Sequence, residues 1–179
     1  MAIWKLLGMG GESADTTDGQ AEAETETVRK IVDELNHMGT QQARHVACFA
    51  YLLGRVAHAD LDISAEETSA MERIVAEQSG LPEAQALLIV QMAKSQNVLF
   101  GATENFLVSR EFGEFASREQ KLALMRCLFA VSAADESISS AEDNEIRKIS
   151  KELKLKHDDF IAARLQFKEY LASKKKPTG

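Results

Sequence analysis

Ala57-His58-Ala59-Asp60-Leu61-Asp62-Ile63-Ser64-Ala65-Glu66-Glu67 returns further along the chain as Ser132-Ala133-Ala134-Asp135-Glu136-Ser137-Ile138-Ser139-Ser140-Ala141-Glu142, with Ile63 matched to Ile138. In each copy an apolar helical run enters an acidic turn, followed by Ile-Ser and then a Glu three residues after the Ser. A Ser in that place accepts an orphan N–H of the helix it opens, and the Glu reaches back to the Ser N–H, which together make a capping box. Each phrase therefore predicts helix, acidic corner, helix, and the repetition predicts an internally duplicated helical protein. Duplicated helix pairs bury their apolar faces on one another, so the two corners are expected to approach each other in the folded chain.

The composition agrees. With 45% hydrophobic and 27% charged residues in 179, the chain supports one compact core and demands no second. Two prolines and ten glycines leave long stretches free to be helical. The expected fold is all-α, a single compact domain of about seven to eight helices. A net charge of −7 opposes attraction to phosphate backbones, and no basic patch with interleaved aromatics occurs, which argues against a nucleic-acid partner. Cys48 and Cys127 lie in apolar helical patterns without CxxC spacing and read as buried thiols. No apolar run approaches the roughly 20 residues of a membrane span, and Met1–Met9 lacks the length and cleavage site of a signal peptide, so a cytoplasmic protein is expected.

Three stretches follow along the chain. Residues 1–27 read as a flexible acidic segment, Gly10 to Thr27, behind a short apolar plug of Ile3, Trp4, Leu6, Leu7 and Met9. That plug is a candidate contact for a protein partner or, weakly, for a membrane surface, and its removal is expected to leave the remainder folded. Residues 28–173 form the helical domain. Val28, Ile31, Val32 and Leu35 share one helix face, and Gly39 stops it. A helix from Gln41 to Ala59 enters the first corner, and one from Ser64 to Ser79 leaves it. Gly80-Leu81-Pro82 breaks the chain before a fourth helix, a shorter helix covers Thr103–Phe112, and Ser117 with Gln120 makes another capping box. The helix through Leu122, Met125, Leu128 and Phe129 reaches the second corner, and helices at Ser139–Leu153 and Asp158–Ala172 complete the domain. Residues 174–179 are a basic tail.

Asp60-x-Asp62-x-Ser64 has the alternating oxygen donors with which a calcium loop begins. A standard EF-hand is excluded, because it needs Gly where the copies have Ala65 and Ser140, and a bidentate Glu where they have Met71 and Ile146. Two readings remain. In one, Asp60, Asp62, Asp135 and Glu136 line a shared surface; carboxylates about 5 Å apart at an effective dielectric near 20 repel by roughly 3 kcal/mol per pair, which invites a divalent cation. In the other, Asp60 and Asp135 cap helix ends and the remaining carboxylates face water. His58 stands beside Asp60 but is matched by Ala133; His45 reads as a partly buried helix histidine and His157 as the start of the last helix. No His pair has i,i+4 spacing, and no Ser-His-Asp, Cys-His, GxGxxG or P-loop arrangement occurs, so no enzymatic chemistry is expected.

At Arg55-Val56-Ala57-His58-Ala59-Asp60 through Glu67, and at Leu128 through Glu142 with Ile146-Arg147-Lys148-Ile149, the chain resembles the TerB (tellurite-resistance protein B) family, over about Val28 to Leu171. The resemblance implies a compact helical fold with internal pseudo-symmetry, acidic residues proposed to bind metal ions, and a link to tellurite resistance and stress. Carried onto this chain, the acidic positions are Asp60, Asp62, Glu67, Asp135 and Glu142. The family commonly has Gly after the Asp, where this chain has Leu61 and Glu136. The His-Pro-Asp motif of the J-domains sometimes fused to such domains is absent, so co-chaperone activity is not implied.

Two functions are carried forward. One is a non-enzymatic protein of tellurite resistance or stress response whose corners, Asp60, Asp62, Glu67, Asp135, Glu136 and Glu142, hold a divalent cation; the other is a helical protein-interaction module without a metal. A metal-dependent hydrolase ranks last for want of a nucleophile or general base. Tellurite, an anion, would not favour bare carboxylates.

Overall fold

The computed structural model describes the backbone of residues 18–57, 65–95 and 105–171, and side chains over 26–57, 68–95 and 107–171. Eight α-helices are described: α1 Asp18–His37, α2 Thr40–Ala57, α3 Ala65–Gln78, α4 Glu83–Lys94, α5 Asn105–Phe115, α6 Arg118–Ser132, α7 Ser140–Glu152 and α8 His157–Leu165, followed by a 3-10 turn at Lys168–Tyr170. Among the described residues there is no strand, only an isolated parallel bridge between Ile138 and Leu171. No helix among them is long and apolar enough to cross a membrane.

The breaks between helices have local causes. Gly39 offers its carbonyl to the N–H groups of Gln42 and Ala43, starting α2. Gly80 sits at φ +70°, a left-handed conformation that glycine adopts without a Cβ clash, and so reverses the chain after α3. Pro82 then occupies the cap position of α4, with the Leu81 N–H held by the Ser79 hydroxyl at 3.1 Å. At Ser117 the expected capping box is present: the Gln120 N–H donates to Ser117 Oγ at 3.2 Å, and the Ser117 N–H to Gln120 Oε1 at 2.8 Å.

Helix α2 is the centre of the molecule. Every residue from His45 through Gly54 is buried, as expected of a helix with apolar or small residues on all sides. It packs on α4, α5, α6 and α7, while α6 packs in turn on α2, α3, α7 and α8. The duplication is visible in that pattern. α3, leaving the first corner, lies on α6; α7, leaving the second, lies on α2. Likewise α4 returns onto α2 and α8 onto α6. This reciprocal exchange is what an approximate two-fold relation between α2–α3–α4 and α6–α7–α8 requires.

Three boundaries differ from the sequence expectation. α1 opens at Asp18, well ahead of Val28, because the Ala- and Glu-rich run before Val28 is made of good helix formers and its acidic residues suit a helix N-terminus. α5 extends to Phe115, carrying Phe112 into the core. α8 ends at Leu165 instead of continuing to Ala172. Phe167 stacks on Phe129 with ring centroids 5.9 Å apart, and Leu171 is buried against the second corner; burying those two side chains outweighs continuing the helix.

Candidate functional site

The second acidic corner is built from backbone turns closed by its own carboxylates. After α6, the Ala134 N–H donates to the Val131 carbonyl and the Glu136 N–H to that of Ala133. Glu136 has φ 63°, so the tight turn that Gly would allow is made here by a residue with a Cβ. Asp135 Oδ1 accepts the Ser137 N–H at 3.0 Å, an Asx turn. Ser139 caps α7: its Oγ accepts the Glu142 N–H at 3.2 Å, and Glu142 Oε2 accepts the Ser139 N–H at 2.8 Å. Between them the Ile138 N–H donates to the Tyr170 carbonyl at 2.6 Å, which ties the corner to the chain beyond α8.

Below this turn lies a pocket of about 200 Å³, bordered by Ile138, Ser139, Ser140, Asn144 and Leu171 and closed by an ion pair. Arg164 donates from Nε and Nη2 to the two carboxylate oxygens of Asp143, at 2.7 and 3.1 Å. Arg147 adds a contact at 3.5 Å from the next turn of α7. The charges in this pocket are thus paired with one another.

A second charged cluster lies at the far end of α2, directly before the first corner. The Arg55 side chain is only 5% exposed. It donates from Nε and Nη2 to Glu145 Oε1 at 3.0 and 2.5 Å, and from Nη1 to Glu152 Oε2 at 2.8 Å and Ser109 Oγ at 2.7 Å. Burial alone would make the guanidinium easier to deprotonate, but the bonds to Glu152 and Glu145 outweigh it and raise its pKa. Burial likewise works against the Glu145 carboxylate, and the Arg55 contact overcomes it, holding Glu145 below the usual range. Elsewhere on α2, His45 lies among Phe49, Phe112 and Phe115, with ring centroids 5.2 to 6.3 Å away, and its Nδ1 is buried without a hydrogen-bond partner. Burial lowers its pKa. Arg44, paired with Glu111, stacks over Phe115 at the edge of this aromatic group. Both cysteines are buried, and burial pushes each thiol up to about 12.

Of the residues proposed from sequence, Asp135 and Glu136 are exposed and Glu142 is half-buried, all within the second corner. Asp60 and Asp62, with His58, lie outside the described residues, as does the side chain of Glu67. The expected approach of Asp60 to Asp135, the apolar plug of Met1–Met9 and the basic tail also lie outside them. Among the described residues no group of three or more His, Cys, Asp or Glu side chains is placed to hold a metal ion. Sequence reasoning missed the partners of Arg55. A lone Arg among the apolar residues of α2, and Glu145 and Glu152 two turns apart on α7, were the available signals.

Among curated proteins and among solved structures nothing matches the chain. Residues 45–165, which span both corners and every helix from α3 to α8, match the family model described as Tellurite resistance protein TerB. The duplicated corners, the reciprocal helix exchange and this match together place the chain in the TerB family.

Proposed function

We propose that this TerB-family chain is a non-enzymatic cytoplasmic protein of tellurite resistance or stress response that works as a helical interaction module, with its second acidic corner serving as a structural joint. The observation that carries this reading is the engagement of that corner's carboxylates by backbone donors: Asp135 by the Ser137 N–H and Glu142 by the Ser139 N–H. A carboxylate committed to closing a turn has less to offer a cation, and the turn itself holds the oxygens where the backbone needs them. The Arg55 and Asp143 clusters support the same reading, since their charges neutralise one another inside the fold. Divalent-cation binding is retained as a second reading for the first corner, where Asp60-x-Asp62-x-Ser64 keeps the alternating oxygen donors and Glu67 follows.

Complementation tests the proposal. In cells that lack this chain and are challenged with tellurite, Asp135→Asn with Glu142→Gln should restore resistance as well as the unaltered protein does, because Asn and Gln keep the turn and the cap without the charge. Loss of resistance in a variant that is folded and expressed at the normal level would turn the second corner back into a working site.

A further inference from the structure

On α7 the carboxylates are turned inward and the cations outward. Asp143 is bound by Arg164, while Glu145 and Glu152 are bound by Arg55, so the acidic side chains beyond the Glu142 cap are committed inside the fold. Arg147, Lys148 and Lys151 lie on the side of the helix away from buried Ile146 and Ile149; Lys154 follows just past its end, and all four are exposed. Lys148 Nζ lies 3.2 Å from Glu145 and Lys154 Nζ 2.6 Å from Glu114, the Arg147 guanidinium lies 3.5 Å from Asp143, and Lys151 has no ion pair among the described residues. Pairs at such exposed cations hold weakly and leave them open to a further carboxylate. The helix dipole accounts for a cation in the last turn, but not for Arg147 and Lys148 ahead of it. Nor is the pattern a property of the repeat: the matching positions of α3 are Glu72, Arg73 and Ala76, with Ser79 after them, so the basic face belongs to the second half alone.

We propose that this basic face is a self-association surface whose occupant is the acidic first half of α1 from a second copy of the chain. No basic residue occurs between Lys5 and Arg29, and within that span α1 carries Asp18, Glu22, Glu24 and Glu26. Asp18, Glu22 and Glu26 recur every four residues, about 6 Å apart along the axis, at register positions away from buried Ile31 and Leu35. Arg147 and Lys151 stand at the same four-residue interval on α7, with Lys148 between them, so the two helices laid side by side bring opposite charges together along the run. Within one chain the two helices are packed elsewhere, α1 on α4 and α7 on α2, α5 and α6, and the cations of α7 remain exposed. The acidic half that reaches α7 therefore comes from another molecule.

The biological role of this surface rests on the interaction-module reading, but the association itself is measured without cells or tellurite, so the two fail separately. Sedimentation equilibrium of the full chain at up to about 1 mM, where weak association is populated, should give a mass above 19.7 kDa in about 20 mM salt and a return to 19.7 kDa in about 0.5 M salt. Lys148→Glu with Lys151→Glu should be monomeric in low salt, and so should Glu22→Lys with Glu26→Lys, because each variant then presents two faces of one sign. Mixed in equal amounts, the two variants should associate again, since each supplies the face that the other has lost. A monomeric unaltered chain in low salt, association that survives either reversal, or a mixture that stays monomeric would overturn the proposal. So would a chain that is monomeric yet binds a poly-glutamate peptide through Lys148 and Lys151, which would assign the face to a different acidic protein. If the double reversal on α7 does not fold, Lys151→Glu takes its place, and association undiminished in that variant would be equally fatal.

Discussion

The two halves share a topology and are sealed by different means. At the end of α2 the closure is ionic, with Arg55 drawing Glu145, Glu152 and Ser109 around a nearly buried guanidinium. Near the end of α6, where Ala130 matches Arg55, it is mainly apolar: Phe167 stacks on Phe129 and Leu171 covers Ile138, with the Asp143–Arg164 pair at the edge and not at the centre. Duplication preserved the feature written locally, the helix–corner–helix phrase, and left the long-range closure of each half free to diverge. An ionic closure is directional and intolerant of losing one partner, whereas an apolar one is graded with the area it buries.

That contrast predicts unequal responses to substitution. Arg55→Met should be the most damaging change, at about 3 kcal/mol in urea unfolding, the lower end for a broken buried pair because both carboxylates keep some contact with water. Adding Glu145→Gln and Glu152→Gln should recover part of it, and additive losses would mean that the ions do not act as one cluster. Leu171→Ala should cost about 2 kcal/mol, and hydrogen exchange should speed up at the Ile138 amide while the amides around Arg55 stay protected. Acid should weaken the α2–α5 contact through His45. Its pKa is lowered in the folded state, so the unfolded chain binds the proton more readily and stability is lost as pH falls below the ordinary 6.5. One proton bounds the slope at about 1.4 kcal/mol per pH unit, and His45→Phe should remove it from a pH series of melts. Ser139→Ala should cost on the order of 1 kcal/mol by deleting the α7 cap. The smallest effect is of opposite sign: Glu136→Gly relieves a left-handed conformation and should stabilise by no more than about 1 kcal/mol.

What was legible in the sequence follows the same division. The Ser139–Glu142 and Ser117–Gln120 boxes and the Gly80–Pro82 break are set by residues a few positions apart, and each stands where expected. The second-corner turn also formed without glycine, since Glu136 adopts the required left-handed φ. Arg55 finds its carboxylates 90 and 97 positions away, and no local pattern announces such a pairing. The early end of α8 was hidden for a related reason. Residues 166–171 have a sequence compatible with helix, and only the tertiary burial of Phe167 and Leu171 directs them elsewhere. For the candidate site, type and spacing singled out the carboxylates of the second corner and already gave Glu142 its capping bond to Ser139; what the structure adds is the Asx turn that Asp135 closes on Ser137.

The claim that the second corner is a structural joint meets its most direct test in calorimetric titration of metal-stripped protein with calcium, magnesium, manganese and zinc, comparing the unaltered chain with Asp135→Asn, Glu142→Gln. Both substitutions remove charge while keeping the Asx turn and the capping box. Superimposable isotherms and unchanged melting temperatures are expected in the two proteins. A cation isotherm present in the unaltered chain and absent from the folded variant would contradict it.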